Sequence, residues 1–131
     1  MTDLTGLWAY AHVVDVRRSI EFYAQLGLDV RNTHEVDGII VWAFVTSSPN
    51  PDEAWARLML ALADGPIDPH VQAVLFYCWT PDVRALHAKL LRAGIDVGEI
   101  EHPFYMPAGE FRVADPDGYV LLVGQLNSPE R

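Results

Sequence analysis

The 131-residue sequence contains a single cysteine, Cys78, so no internal disulfide can staple it. One cysteine fits a reducing compartment, and its place in an apolar run marks it as a buried thiol rather than a nucleophile. Basic residues are scarce: nine Lys and Arg stand against eighteen Asp and Glu, for a formal charge of −9. Phosphate backbones and anionic lipid need clusters of basic side chains, so nucleic acid is not an expected partner. A cationic small molecule would be drawn in by the same field, although an acidic surface also serves solubility alone. Long hydrophobic runs are missing as well. Charged or turn residues interrupt every apolar segment short of the ~20 residues that a bilayer crossing needs, and no membrane association is expected. Met1-Thr2-Asp3-Leu4 lacks the basic segment and apolar run of a secretory signal, which makes the cytoplasm the expected location.

What the sequence does contain is a repeat. Asp15-Val16-Arg17, then nine residues, then Gly27-Leu28-Asp29-Val30 recurs as Asp82-Val83-Arg84, nine residues, Gly94-Ile95-Asp96-Val97, at a constant offset of 67. Across residues 15–30 and 82–97, six of sixteen aligned positions are identical, which points to one unit duplicated within the chain. The same offset carries Trp8-Ala9-Tyr10-Ala11-His12 onto Leu75-Phe76-Tyr77-Cys78-Trp79, two strand-like runs. Two copies are too few to stack as a solenoid. A single domain of two modules, residues 1–65 and 70–131, related by an internal pseudo-twofold axis is therefore expected, with function on the surface the modules share. The length suits one domain that folds without disulfide or metal staples.

Residues 7–14 alternate large and small side chains, placing Trp8, Tyr10 and His12 on one face of a strand and Ala9, Ala11 and Val13 on the other. Asp15 is the expected N-cap of a helix over 16–26 that Gly27 ends. Strands are predicted over 28–34 and 39–46, joined at Asp37-Gly38. Residues 56–63 suit a helix on propensity, but the repeat predicts a fourth strand. In the second module the expected order is strand 73–79, helix 82–93, and strands 95–101, 109–114 and 119–125, with Asp115-Pro116-Asp117-Gly118 as the last turn. The loop from Glu101 to Gly109, rich in proline and aromatic residues and carrying Tyr105, is placed either to line a site or to form a rigid surface loop.

Two βαβββ modules, an Asp at each helix start, Ser19-x-x-Phe22-Tyr23 in the first helix and Asp-Pro-Asp-Gly before the last strand together resemble the vicinal oxygen chelate superfamily. That superfamily includes glyoxalase I, extradiol dioxygenases, fosfomycin resistance enzymes and bleomycin resistance proteins. The resemblance implies an α+β fold whose two modules form a curved mixed-sheet cup, and a homodimer. In metal-dependent members, side chains from the first and last strands of each module hold a divalent ion. The matching positions here are Trp8, Leu75, Leu122 and the run Leu58 to Leu62, none with an N or O donor suited to a metal. No metal or other cofactor is expected at those positions. A displaced metal site would have to use His12, His34, His102 and Glu110, and a metal-free enzyme would use a His12–Glu110 acid–base pair. Catalytic residues are otherwise unassigned.

The same positions describe an aromatic cleft instead. Trp8, Tyr10, His12, Tyr77 and Trp79 face inward, Leu75 takes the deep position, Trp42 and Phe44 extend the wall, and Tyr105, Glu110 and Leu122 complete the candidate set. Such walls hold a flat or charged ligand by stacking and cation–π contacts. By resemblance to the bleomycin resistance branch, the expected function is metal-independent sequestration of a small aromatic or cationic compound, possible antibiotics included. The alternatives are a glyoxalase-like lyase or isomerase, or a dioxygenase-like enzyme, with a displaced metal, and a dimeric scaffold whose cup is filled by its own side chains.

Overall fold

Both helices begin on an aspartate. In the computed structural model, which describes residues 3–4, 6–50 and 53–126, Asp15 accepts a hydrogen bond from the Arg18 N–H at 3.2 Å and caps α1 (Val16–Gln25). Asp82 accepts from the Ala85 N–H at 3.0 Å and caps α2 (Val83–Arg92). Each carboxylate satisfies an N–H that the first helical turn leaves unbonded. The helices also end alike. Leu28 N–H donates to the Tyr23 carbonyl, and Ile95 N–H donates to the Leu90 carbonyl, both at 3.0 Å. Gly27 and Gly94 make those reversals possible at φ 84° and 79°, where a Cβ would be strained.

The chain falls into two units, residues 1–67 and 68–131. In the first, β1 (Ala9–Val13), β2 (Asp29–Val36), β3 (Ile39–Thr46) and β4 (Arg57–Leu62) form a mixed sheet in the order β1-β4-β3-β2. β1 runs parallel to β4, and the other pairs are antiparallel. Asp37 and Gly38 both take positive φ, the conformation that a tight two-residue hairpin requires. Residues 57–62 are a strand and not a helix because they bond on both sides, to β1 and to β3. Tertiary pairing overrides their helix propensity.

In the second unit, β5 (Leu75–Thr80), β6 (Glu110–Ala114) and β7 (Val120–Gln125) form a mixed sheet in the order β5-β7-β6, with β5 parallel to β7. The strand expected over 95–101 is not formed. That stretch meets β6 only at two isolated bridges, Val97 to Val113 and Glu101 to Glu110. Gly98, Glu99 and the neighbouring acidic residues disfavour a continuous strand, so the described residues of this module form three strands where four were expected. Among the described residues the architecture is α+β: two small mixed sheets, of four and three strands, with two helices.

Each sheet turns one face to its own helix. In the first unit Ala11, Val13, Ala43, Val45, Leu58 and Leu60 are buried on the side of α1, which packs on β2, β3 and β4 through Val16 and Tyr23. In the second, Phe111, Val113, Leu121 and Val123 are buried, as are Val83 and Leu90 of α2. No helix of the described residues is long and apolar enough to cross a membrane.

Candidate functional site

The opposite faces carry the aromatic side chains, and strand register shows how they are grouped. Tyr10 is paired with Met59, which is paired with Phe44; His12 is paired with Ala61, which is paired with Trp42. Side chains of paired residues lie on the same face, so Tyr10, His12, Trp42 and Phe44 stand together, with Trp8 two residues before Tyr10. Trp8 stacks on Phe44 with ring centroids 5.0 Å apart, and Phe44 on Trp42 at 6.4 Å. Tyr10 meets the His12 ring edge-on at 5.5 Å. Arg57, at the start of β4, extends this face. Its guanidinium lies 5.3 Å from the centre of the Trp8 ring while its Nε donates to the Ala54 carbonyl at 3.1 Å. Sequence reasoning missed Arg57, yet alternation along β4 places it on the side of Met59 and Ala61.

The second sheet repeats the arrangement with different chemistry. Tyr77 is paired with Leu122 and then Arg112; Trp79 is paired with Gly124 and then Glu110. The position that Trp42 holds in the first sheet is thus held by Glu110 in the second. Tyr77 and Trp79 rings sit 4.9 Å apart, and Leu75 precedes them on the same face. Glu110 is buried, and both carboxylate oxygens are engaged: Tyr77 donates to Oε1 at 3.1 Å, and Tyr105, from the loop before β6, donates to Oε2 at 2.8 Å. Partial burial, followed by the hydrogen bond to Glu110 and its charge, raises the Tyr77 hydroxyl above its ordinary pKa. For Tyr105 the hydrogen bond to Glu110 is the leading cause of a shift in the same direction. Gly124 lies beneath this cluster: a Cβ there would come within 2.8 Å of Met106 Cε, the end of a flexible side chain, and 3.4 Å of the Tyr77 hydroxyl.

Of the residues singled out from the sequence, Phe44, Glu110 and Leu122 are buried. Trp8, Tyr10, Leu75, Tyr77, Trp79 and Tyr105 remain between 36% and 57% exposed. The first unit carries two open clefts, of about 280 Å³ beside Trp8, Trp55 and Arg57 and about 440 Å³ beside Val14, Ile39 and Leu62. The aromatic face contributes to them only through Trp8 and Arg57.

The donor set does not fit a divalent metal. Trp8, Leu75, Leu122 and β4 offer no carboxylate or imidazole. Among the described residues, no three His, Cys, Asp or Glu side chains converge as ligands. His102 Nδ1 lies 2.9 Å from the Pro107 carbonyl, within its own loop. Cys78 points away from Tyr77 and Trp79, as alternation requires, and burial pushes its thiol up to about 11. It should therefore resist iodoacetamide at pH 8 in the folded protein and alkylate readily in urea; rapid native labelling would show that β5 opens. The sign for stability follows: the unfolded thiol ionises first as pH rises past its ordinary value near 9, so this group's contribution is lost between pH 9 and about 11.

The family and the fold are shared with known proteins. A model of the Glyoxalase/Bleomycin resistance protein/Dioxygenase superfamily matches residues 8–123. No curated protein matches the sequence. A bleomycin-binding protein complexed with bleomycin matches with a TM-score of 0.70 at 16% identity, over 95% of this chain and 100% of its own. TnmS3, an antibiotic-binding protein from Streptomyces sp. CB03234, gives 0.71 at 21%, over 97% and 100%. The trypanothione-dependent glyoxalase I of Leishmania major gives 0.68 at 24%, over 94% and 87%. At such identities the likeness is one of fold.

Proposed function

We propose that this chain, which belongs to the glyoxalase/bleomycin resistance protein/dioxygenase superfamily, is a metal-independent binding protein that sequesters an aromatic or cationic small molecule, as a homodimer in the cytoplasm. The observation that carries the reading is the exposure of large aromatic rings on the sheet faces turned away from the helices. Trp8, Tyr10 and Trp79 remain 42%, 53% and 57% exposed although each sits in or beside a paired strand. Rings left in water on a rigid sheet gain free energy when a flat ligand covers them. Stacking and cation–π contacts are worth roughly 0.5–2 kcal/mol each, so a few of them suffice for micromolar binding. The acidic balance of the chain favours a cation over an anion. Bleomycin-binding and antibiotic-binding proteins of the same fold support the reading. The poor fit of the donor set to a metal supports its metal-independent form.

The test is elemental analysis of untagged protein purified without chelator, followed by titration with the planar cation proflavine under tryptophan fluorescence. The expected result is no stoichiometric divalent metal and saturable quenching at micromolar dye. Metal at one ion per chain would overturn the reading in favour of a displaced catalytic centre. Absence of saturable quenching would leave a structural dimer.

A further inference from the structure

Glu110 is 7% exposed and, among the described residues, no Lys, Arg or His pairs with its carboxylate. What holds it are two hydroxyls, those of Tyr77 and Tyr105. Arg112, on the same face of β6, lies close enough for its charge to act on the Tyr105 hydroxyl but does not bond Glu110; a buried carboxylate held by hydroxyls alone is unfavourable unless a charged donor completes it. Its surroundings are built. Tyr105 reaches it from a loop, and Tyr77 reaches it across β7, where Gly124 is the intervening residue of the register row. Trp79 shares the same register row, and its ring is close to that of Tyr77. Fixing both oxygens by outside donors holds the carboxylate in place before any ligand arrives, which lowers the entropic cost of binding.

We propose that Glu110 anchors a protonated amine of the sequestered compound, with Tyr77, Trp79 and Tyr105 as the aromatic surround of that cation. The inference rests on the binding reading above and narrows the ligand to flat molecules bearing an ammonium group. A carboxylate accepts about four hydrogen bonds, and the tyrosines use two, so N–H donors can occupy the remaining positions. A quaternary ammonium has no N–H and keeps only the cation–π and charge attraction. A neutral alcohol keeps only the stacking.

The experiment is calorimetric titration of the intact protein and of Glu110→Gln with 2-naphthylmethylamine, its trimethylammonium derivative and 2-naphthylmethanol. For the unsubstituted protein the amine is expected to bind about 30-fold more tightly than the alcohol, with the quaternary compound between them. In Glu110→Gln the alcohol should bind as before, while the preference for the amine falls to about threefold or less. Equal binding of amine and alcohol to the unsubstituted protein, which requires no variant to fold, would overturn the anchor and leave aromatic binding standing. An undiminished preference in a folded Glu110→Gln protein would also overturn it. Failure of all three naphthyl probes to bind would overturn this inference, whereas saturable proflavine quenching in the same preparation would show that the binding reading survives it.

Discussion

Gly118→Ala is expected to destabilise the protein by about 3 kcal/mol, combining a left-handed backbone penalty with overpacking. Gly118 closes the turn before β7 at φ 87°. A Cβ there would also lie within 2.3 Å of the Pro69 carbonyl oxygen and 2.5 Å of Pro69 Cα, both backbone atoms that no rotamer change can move aside. The turn has little slack. Asp115 Oδ1 accepts from the Asp117 and Tyr119 N–H groups at 2.9 Å, Gly118 N–H donates to the Asp115 carbonyl at 3.0 Å, and Gln72 Nε2 donates to the Asp117 carbonyl at 2.9 Å. Urea denaturation measures the loss, and Gly118→Asn separates the two causes. Asparagine tolerates positive φ but carries the same Cβ, so it should remain nearly as costly. A loss below about 1 kcal/mol for alanine would mean that the segment around Pro69 moves freely away, contrary to the packing described.

A second large effect is expected in the core of the same unit, where Phe111→Ala should cost about 4 kcal/mol. Phe111 is 1% exposed and is paired in register with Val123, itself buried. The His87 ring of α2 meets it edge-on at 5.1 Å, and His87 Nε2 is held 2.8 Å from the Gly98 carbonyl. Truncation removes the ring's transfer free energy and leaves a cavity that the strand pairing and the helix prevent from collapsing. The contrast lies on the other face of the sheet. Trp79→Ala should cost less than about 1 kcal/mol, because the ring is 57% exposed and its removal opens no cavity. Denaturation midpoints at unchanged m-value compare the two variants. Equal costs would show Trp79 to be core and would count against a ligand face.

Much of this arrangement was legible in the sequence because its signals are local. Asp15 and Asp82 cap helices through bonds three residues away, and the period of two in residues 8–12 places Trp8, Tyr10 and His12 on one face whatever lies beside them. The strand over 57–62 was legible only by symmetry with the second half, since its own composition favours a helix. Symmetry also misled: the expected strand over 95–101 follows from the repeat, but Gly98 and its acidic neighbours sustain only two bridges. The Tyr77–Glu110–Tyr105 cluster was not legible as a unit. Each member was singled out, yet their meeting depends on β7 lying between β5 and β6 and on the course of a loop, neither of which leaves a periodic trace.

The parallel pairing of β1 with β4, and of β5 with β7, bears on how the chain folds as it is made. The hairpin of β2 and β3 and the antiparallel pairing of β4 on β3 join neighbours along the chain, whereas Tyr10 must wait for Met59 and Tyr77 for Leu122. Non-local pairings slow folding because the intervening loop loses its freedom before any contact repays it. In each half the first strand is therefore the last to be enclosed. Until β4 emerges from the ribosome, the leading Trp8 and Tyr10 have an open strand edge beside them and no sheet to join. The time taken to synthesise residues 14–62 then sets how long that edge is exposed to other chains.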